Sequence, residues 1–370
     1  MDHHKVPSER SIGGGSAEGP SPASEHGRSL SFFLTGLVLG VLVATIGFGI
    51  FLRWQKNAQR DLAMDGHGGQ QRIVLKLGHA LDTGHPVHVA MEHMKTRLEE
   101  LSGGAMTLDI YPSAVLGSEV QSLEQVQNGS LDMTKVSAAI MENFVPEMAV
   151  FGLPFLFRDS DHYWQVLESP VGEALLEKGE DKLLRGLCYY DSGSRNFYTR
   201  SKPIRTPEDL EGLKIRVMNS ATAIEMVKAM GGAPTPIAWG ELYSALAQGT
   251  VDGAENNPPS FTSNKHYEVC KHFTLDGHTR IPDILLVGTK TWDRLSPQAR
   301  VWLQQAADDS SEFQRRLWAQ ETIRSLEVAK AQGVTVYDVD LEAFAARVAP
   351  MLDEVEEPVR SLMRQIQETR

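Results

Sequence analysis

A two-lobed α/β architecture preceded by a membrane-spanning helix is the fold class that this chain of 370 residues predicts. Three observations carry it. Strand-like and helix-like runs alternate from Ile73 onward, which implies parallel pairing within an α/β body. The chain is 41% hydrophobic and 23% charged, a composition that suits a globular body of two domains. Residues 32–52 form a stretch without a single charge, long enough to cross a bilayer.

The amino terminus reads as three pieces. Residues 1–31 contain Gly13-Gly-Gly15, Ser-Pro pairs and almost no apolar side chains, so a disordered tail is expected. Residues 32–53 are read as a transmembrane anchor or signal segment: at about 1.5 Å per residue, the apolar stretch matches a hydrocarbon core of roughly 30 Å. It runs into Gly49-Ile-Phe-Leu-Arg-Trp54 without an Ala-x-Ala cleavage pattern, which favours an uncleaved anchor. Arg53, Lys56 and Arg60 crowd its carboxyl flank while Arg28 stands nearly alone on the other, so the positive-inside rule by itself would put the body in the cytoplasm. The cleft argued below votes the other way. Residues 54–72, with Gly66-His-Gly-Gly69, form a polar linker.

The body opens with a strand at 73–77, a loop at 78–84 and a helix from Pro86 to about Leu101. A second strand is expected at 106–110, a helix at 119–127 ended by Asn128-Gly129, and a third strand at 131–135. The strand at 187–190 leads through Asp191-Ser-Gly-Ser-Arg195 into another at 196–199, where the chain crosses between lobes. Two proline stops and a capped short helix at 202–210 precede the strand Leu213-Lys-Ile-Arg-Val217. Ile284-Leu-Leu-Val287 carries the chain back to the first sheet. From 297 to 332 there is no interior proline or glycine, and Val301, Leu303, Ala306, Phe313, Leu317 and Ile323 are expected to supply the contacts of a long helix bracing both lobes.

Composition excludes several functions. With 36 basic against 48 acidic residues, a net charge of −12 and no basic run, a nucleic-acid surface is not expected. Cys188 and Cys270 form no C-x-x-C pair, so thiol-based metal sites are set aside; separate buried thiols or a disulfide remain open. Walker, H-E-x-x-H, G-x-S-x-G and dinucleotide fingerprints are missing, so neither a cofactor nor catalysis is expected. His79, His85, His88 and His93 cluster, but no second ligand pair accompanies His88 and Glu92, and no metal site is assigned.

What remains is an acid-binding pattern. Arg216 sits where a strand gives way to a helix, the end of an open α/β sheet at which ligands lie, and a guanidinium there can grip a carboxylate through two parallel hydrogen bonds. Its alternative is a structural ion pair with Glu241 or Asp252. Arg195 lies at the second switch, as a cleft residue or a hinge cap. Asn256 and Asn257 offer amides to hydroxyls or make Asx-turns, Trp239 and Tyr243 are core or platform, His79 is a ligand contact or a solvated loop residue, and Glu119 and Asn143 are cleft residues or caps.

At Arg195, Leu213-Lys-Ile-Arg-Val-Met-Asn219, Gly232-Ala-Pro-Thr-Pro236 and Val251-Asp-Gly-Ala-Glu-Asn-Asn-Pro258, over residues 73–345, the chain resembles the dicarboxylate-type substrate-binding proteins of tripartite ATP-independent periplasmic (TRAP) transporters. Tyr111-Pro-Ser-Ala-Val-Leu-Gly-Ser-Glu119 and Phe151-Gly-Leu-Pro-Phe155 fit the same pattern. The resemblance implies a type II periplasmic-binding-protein-like fold, lobe I being 73–192 plus 282–321 and lobe II 193–281 plus 322–370, with a strand hinge between them. It implies a non-enzymatic receptor in which Arg216 pairs with a solute carboxylate, Arg195 and Asn256 line the same cleft, and His79, Glu119 and Asn143 match cleft-facing loops. The partner it implies is the membrane permease of a sodium-coupled transporter. Ala254-Glu-Asn-Asn-Pro-Pro-Ser260, His266-Tyr-Glu268 and His278-Thr-Arg280 look like members that take sugar acids, uronates or aldonates. A different carboxylate, such as a dicarboxylate, a sensor that signals to a partner, and an enzyme acting on uronates are the competing readings.

Overall fold

The computed structural model describes residues 72–369, so the tail, the apolar stretch 32–52 and the linker up to Gln71 lie outside the described residues. Among those described, no helix is long and apolar enough to cross a membrane. Strands β1 (Ile73–Gly78), β2 (Met106–Tyr111), β3 (Met133–Ser137) and β4 (Leu184–Tyr190) begin one sheet. Strands β5 (Asn196–Thr199), β6 (Lys214–Val217), β7 (Ala233–Pro236), β8 (Gly253–Asn256) and β9 (His272–Leu275) make most of a second. Strand β10 (Asp283–Gly288) returns to the first sheet and β11 (Thr335–Asp338) to the second. The orders are β2-β1-β3-β10-β4 and β11-β9-β5-β8-β6-β7.

Purely parallel pairing is corrected. β1 is parallel to β2 and β3, but β10 arrives from the second sheet and inserts antiparallel between β3 and β4. In the second sheet β5 runs antiparallel to β8 and β9, whereas β6 is parallel to β7 and β8. Both sheets are therefore mixed. β3 also starts two residues later than expected, because Leu131 and Asp132 serve the turn: Asp132 accepts from the Lys76 amide at 3.0 Å while Leu131 fills the space beside Gly78.

Local chemistry accounts for the helix ends. In α1 (Pro86–Leu101) His85 is the N-cap, its Nδ1 accepting from Val87 N at 3.2 Å with Pro86 in the first turn. α2 (Glu119–Asn128) opens on a Ser118/Gln121 capping box and ends at Gly129, which takes the left-handed conformation at φ 87°. α3 (Ala221–Ala229) starts at Ser220 and α4 (Pro258–Ser263) at Asn257, whose Oδ1 accepts from Ser260 N at 2.8 Å.

The long helix α5 (Pro297–Ala331) spans about 50 Å at 1.5 Å per residue. Its buried stripe differs from the apolar positions expected: Val301 and Ile323 face solvent, while Leu303, Ala306, Ala307, Ser310, Gln314, Trp318, Ser325 and Ala329 turn inward. The first half packs with α1 and β4 in one core; Ala329, near the other end, joins the core beneath β9 and α4. Between them, Gln314 bonds both backbone groups of Asp191, accepting from its N–H at 2.7 Å and donating to its carbonyl at 2.8 Å. The chain crosses between the sheets at that point. Gly193, at φ 57°, leaves room there for the Trp318 indole, which a Cβ would approach to 2.8 Å.

The end of the chain departs from the expected division. Helix Leu341–Asp353 packs on the second sheet's core through Phe344 and Val348, but Val359–Glu368 crosses back. Ile366 is buried in the first lobe's core and its carbonyl meets His162 Nε2 at 2.9 Å, since an apolar face ending the chain finds its cover there. Cys188 and Cys270 are free, buried in different cores.

Leu303, fully buried on α5, should cost roughly 2–5 kcal/mol of unfolding free energy when replaced by alanine, read from urea denaturation. The same change at exposed Val301 should leave the transition within about 0.5 kcal/mol.

Candidate functional site

Arg216 is the third residue of β6, a strand otherwise carrying Ile215 and Val217 into the core, and is only 2% exposed. Its Nε donates to Ile237 O at 2.8 Å, but Nη1 is buried without a partner, and the guanidinium lies 5.9 Å from the centre of the Trp239 ring. No carboxylate forms an ion pair with it among the described residues. Asp252 accepts instead from the Lys214 amide at 2.8 Å, so the structural ion pair weighed from the sequence is not what this arginine makes. Burial, with Arg195 nearby, lowers its pKa, yet a guanidinium stays charged in protein.

Arg195, expected to line the same cleft, does border it, but four hydrogen bonds occupy most of its donors. It leaves the crossing through a bridge to Thr279 and grips Glu255 of β8 through both carboxylate oxygens, with Nη2 to Oε1 at 2.8 Å and Nε to Oε2. Nη2 also donates to Glu255 O at 2.8 Å and Nη1 to Asn256 Oδ1 at 3.0 Å. Burial would push the Glu255 carboxyl up; Arg195 and the neighbouring His278 outweigh it and hold it at about 2. His278 completes the chain of charges. Burial disfavours its protonated form, but Asp276, 2.6 Å from Nδ1, and Glu255, 3.5 Å from Nε2, raise it to about 9.

The first lobe supplies the facing wall. Glu119, the first residue of α2, accepts from Lys135 Nζ at 3.3 Å and from the Ser137 amide at 3.2 Å, and Lys135 also pairs with Asp283 at 3.1 Å. The buried ammonium is held charged by two carboxylates. Each carboxylate shares that one ammonium with a like charge, so burial and Glu119 together leave Asp283 pushed up.

Arg216, Arg195, Asn256 and Glu119 thus line one small cavity with Lys135, Asp283, Ser137, Ser192, His85 and Trp239. Asn256 spends Oδ1 on Arg195 and on the Asn257 amide, which leaves its NH₂ group for a ligand. Asn257 is consumed as the α4 cap and by Ser192, 3.3 Å from its Nδ2. His79 and Asn143 lie outside this cavity. His79 is buried behind it, Nδ1 accepting from the Leu81 amide at 3.2 Å and Nε2 meeting His88 Nδ1 at 3.0 Å, and burial lowers its pKa to about 3. In this structure it supports the Ala80-Leu81 loop. Asn143 bridges the lobes by donating to Ile140 O at 3.0 Å and Asn219 O at 2.7 Å. Sequence reasoning missed Glu255, Lys135 and Asp283; the signal for Lys135 was a lone cation inside a strand otherwise fit for burial. No group of three or more metal-ligating side chains occurs among the described residues.

Among the described residues, Arg216 thus lines the cavity without an ion-pair partner, beside carboxylate oxygens and the Asn256 amide. The family described as bacterial extracellular solute-binding protein, family 7 (DctP), matches residues 77–358. The chain belongs to this family. A solute-binding protein of Chromohalobacter salexigens is 35% identical over 288 residues, 77% of this chain and 86% of that one. A TRAP periplasmic solute-binding protein from Sulfitobacter sp. NAS-14.1, solved with bound β-D-galacturonate, is 34% identical with a TM-score of 0.77, covering 80% of this chain and 99% of that one. Another from Pseudomonas putida F1, solved with bound D-glucuronate, is 36% identical with a TM-score of 0.78, covering 80% and 98%. Family 7 members are extracytoplasmic solute receptors of transporters, not enzymes.

The Glu255–His278 pair sets a pH dependence. His278 is raised from 6.5 to about 9, so its stabilisation is complete below pH 6.5 and is lost as pH rises through 9; Glu255, lowered from 4.5 to about 2, contributes above pH 4.5 and loses its share as pH falls through 2. Urea midpoints should therefore decline between pH 6.5 and 9, and His278→Asn should flatten that decline; parallel curves for the two proteins would count against it.

Proposed function

We propose that this protein captures a sugar acid, a uronate or aldonate, between its two lobes and delivers it to the membrane subunits of a sodium-coupled TRAP permease. The observation that carries the reading is the Arg216 guanidinium, buried with Nη1 unbonded and lining a cavity whose other cations, Arg195 and Lys135, are already paired with Glu255, Glu119 and Asp283. One free cation suits a monoacid better than a dicarboxylate, and the Asn256 amide, Glu119 and Asp283 are suited to hydroxyls. Glu119 and Asn256 are assigned to the ligand; Arg195 holds Glu255 and Asn256 in place.

The energetics are adequate. Hydrogen bonds to a charged group contribute roughly 1.5–3 kcal/mol each and neutral ones about 1, so two to Arg216 and a few to hydroxyls reach the ~8 kcal/mol of micromolar binding. Closure takes place about the crossings at 191–195 and 276–282, with α5 bracing both lobes. The body is tethered on the outer side of the inner membrane by residues 32–52, an assignment that rests on their length and lack of charge.

In calorimetric titrations the natural protein should bind D-galacturonate or D-glucuronate more tightly than succinate, and Arg216→Ala should weaken the uronate by at least ~100-fold without lowering the thermal midpoint. Uronate affinity that survives the substitution would sink the assigned role. A periplasm-only reporter fused after Gln71 should be active, and the protein should fractionate with membranes; release by osmotic shock would count against the tether.

A further inference from the structure

Beyond Arg216 the chain runs from β6 straight into contact with the other lobe. Met218 lines the solute cavity and is buried in the same apolar cluster as Val145, Phe151 and Leu153 of the first lobe. The Asn219 carbonyl accepts from Asn143 Nδ2 at 2.7 Å, and the Thr222 amide donates to Glu142 Oε1 at 3.2 Å. Thr222 is the second residue of α3, where a helix offers backbone N–H groups that no carbonyl of its own can reach. Ser220 satisfies the Ala223 amide from within the segment. The Thr222 amide is satisfied from the opposite lobe, by a carboxylate placed at the positive end of the helix dipole.

The first lobe brings a matching segment to these contacts. Glu142 and Asn143 follow the short helix Ala138–Met141, which continues β3 with its Lys135 and Ser137. Gly152 ends the 3-10 helix Pro146–Gly152 and belongs to the Phe151-Gly-Leu-Pro-Phe155 run, none of which lines the cavity. A Cβ built on Gly152 would lie 3.0 Å from Thr222 Cγ2 and 3.2 Å from Thr222 Cβ, and its nearest neighbours all belong to Thr222. Gly152 does not occupy the left-handed backbone region, so what its missing side chain serves is this close approach. The carboxylate beside it is incompletely compensated. Glu142 is 8% exposed, and its Oε2 is buried with no partner among the described residues.

We propose that Glu142, Asn143 and Gly152 meet the 219–222 segment only when the lobes close, and that this seam sets how long a solute is held without touching it. The proposal rests on the uronate reading above and adds the residues that govern release. Glu142, Asn143 and Gly152 line neither the cavity around Arg195 and Arg216 nor the chamber beside Trp239. Two runs leave the cavity walls, one from Arg216 and one from Lys135 and Ser137, and join outside it, so a solute that draws the walls together brings the seam into register. With the lobes apart, water hydrates both Glu142 oxygens and the Thr222 amide. Closing exchanges those bonds for a single one across the gap, a balance that does not favour the closed form without a solute. Apparent affinity scales with the closed fraction, so a weakened seam weakens every solute by the same factor.

Amide hydrogen exchange and binding kinetics of the full-length protein with D-galacturonate and D-glucuronate test it. In the natural protein the Thr222 amide should exchange at least ~10-fold more slowly with bound uronate than without it. Gly152→Leu, whose side chain wedges against Thr222, should weaken both uronates by ~10-fold or more through faster dissociation, with association within about twofold and the solute-free thermal midpoint unchanged. Glu142→Ala should weaken both by a common factor of roughly 3–10, while Glu142→Gln, which keeps an acceptor, should stay within about twofold of the natural protein. A Thr222 amide equally protected with and without uronate overturns the seam, and so does unchanged affinity in Gly152→Leu and Glu142→Ala. A solute-free midpoint lowered in both variants overturns it as well, because it marks a permanent interface. If the natural protein binds neither uronate, it is the uronate reading that fails.

Discussion

A buried guanidinium with no ion-pair partner among the described residues is the constraint around which the cleft is organised. Removing a cation from water costs several kcal/mol unless something compensates, and among the described residues Arg216 bonds one carbonyl and lies over an indole, with Glu255 acting on it from a distance. A second arginine, Arg195, borders the same cavity and would add to that cost if its own charge were free. Glu255 prevents this by engaging Arg195 through both oxygens, and His278 with Asp276 in turn surrounds Glu255. The result is a neutralised network on one side and a single unanswered charge on the other. Under the proposed function, an anion would complete such a site, and its binding energy would draw the lobes together.

The same accounting explains the opposite wall. Lys135 lies inside β3, and the return of β10 brings Asp283 beside it while the start of α2 brings Glu119. The ammonium fixes these carboxylates at positions where they can accept from hydroxyls without repelling a solute as two bare negative charges would. Under the proposed roles, Arg216 and the Asn256 amide come from one lobe and Glu119 and Asp283 from the other, so a ligand would satisfy all of them only when the lobes are close together.

Much of this was legible in the sequence. Alternating strands and helices, the Pro86 start and the Gly129 stop are local signals, and the Arg216 strand was recognisable because a lone arginine amid Leu, Ile and Val must have a reason to be buried. Partner choice was not local. Which carboxylate satisfies Arg195, that β10 enters antiparallel between β3 and β4, and that the last helix returns to the first lobe all depend on residues distant in sequence meeting in space. His79 and Asn143 show the same limit: each sits close to the cleft in chain order, yet one turns inward to His88 and the other reaches the opposite lobe's backbone.

The depth of Arg216 gives salt two opposing roles. Far from the molecule, a solute anion meets a net charge of −12, a repulsion that mobile ions weaken over roughly 10 Å at 0.1 M. Once inside, the partner proposed for it is a cation only 2% exposed, beyond the reach of those ions. Rising ionic strength therefore speeds arrival and hardly disturbs the complex. A receptor of this construction holds its solute in concentrated and dilute surroundings alike, and the medium governs how quickly it fills more than how tightly it holds.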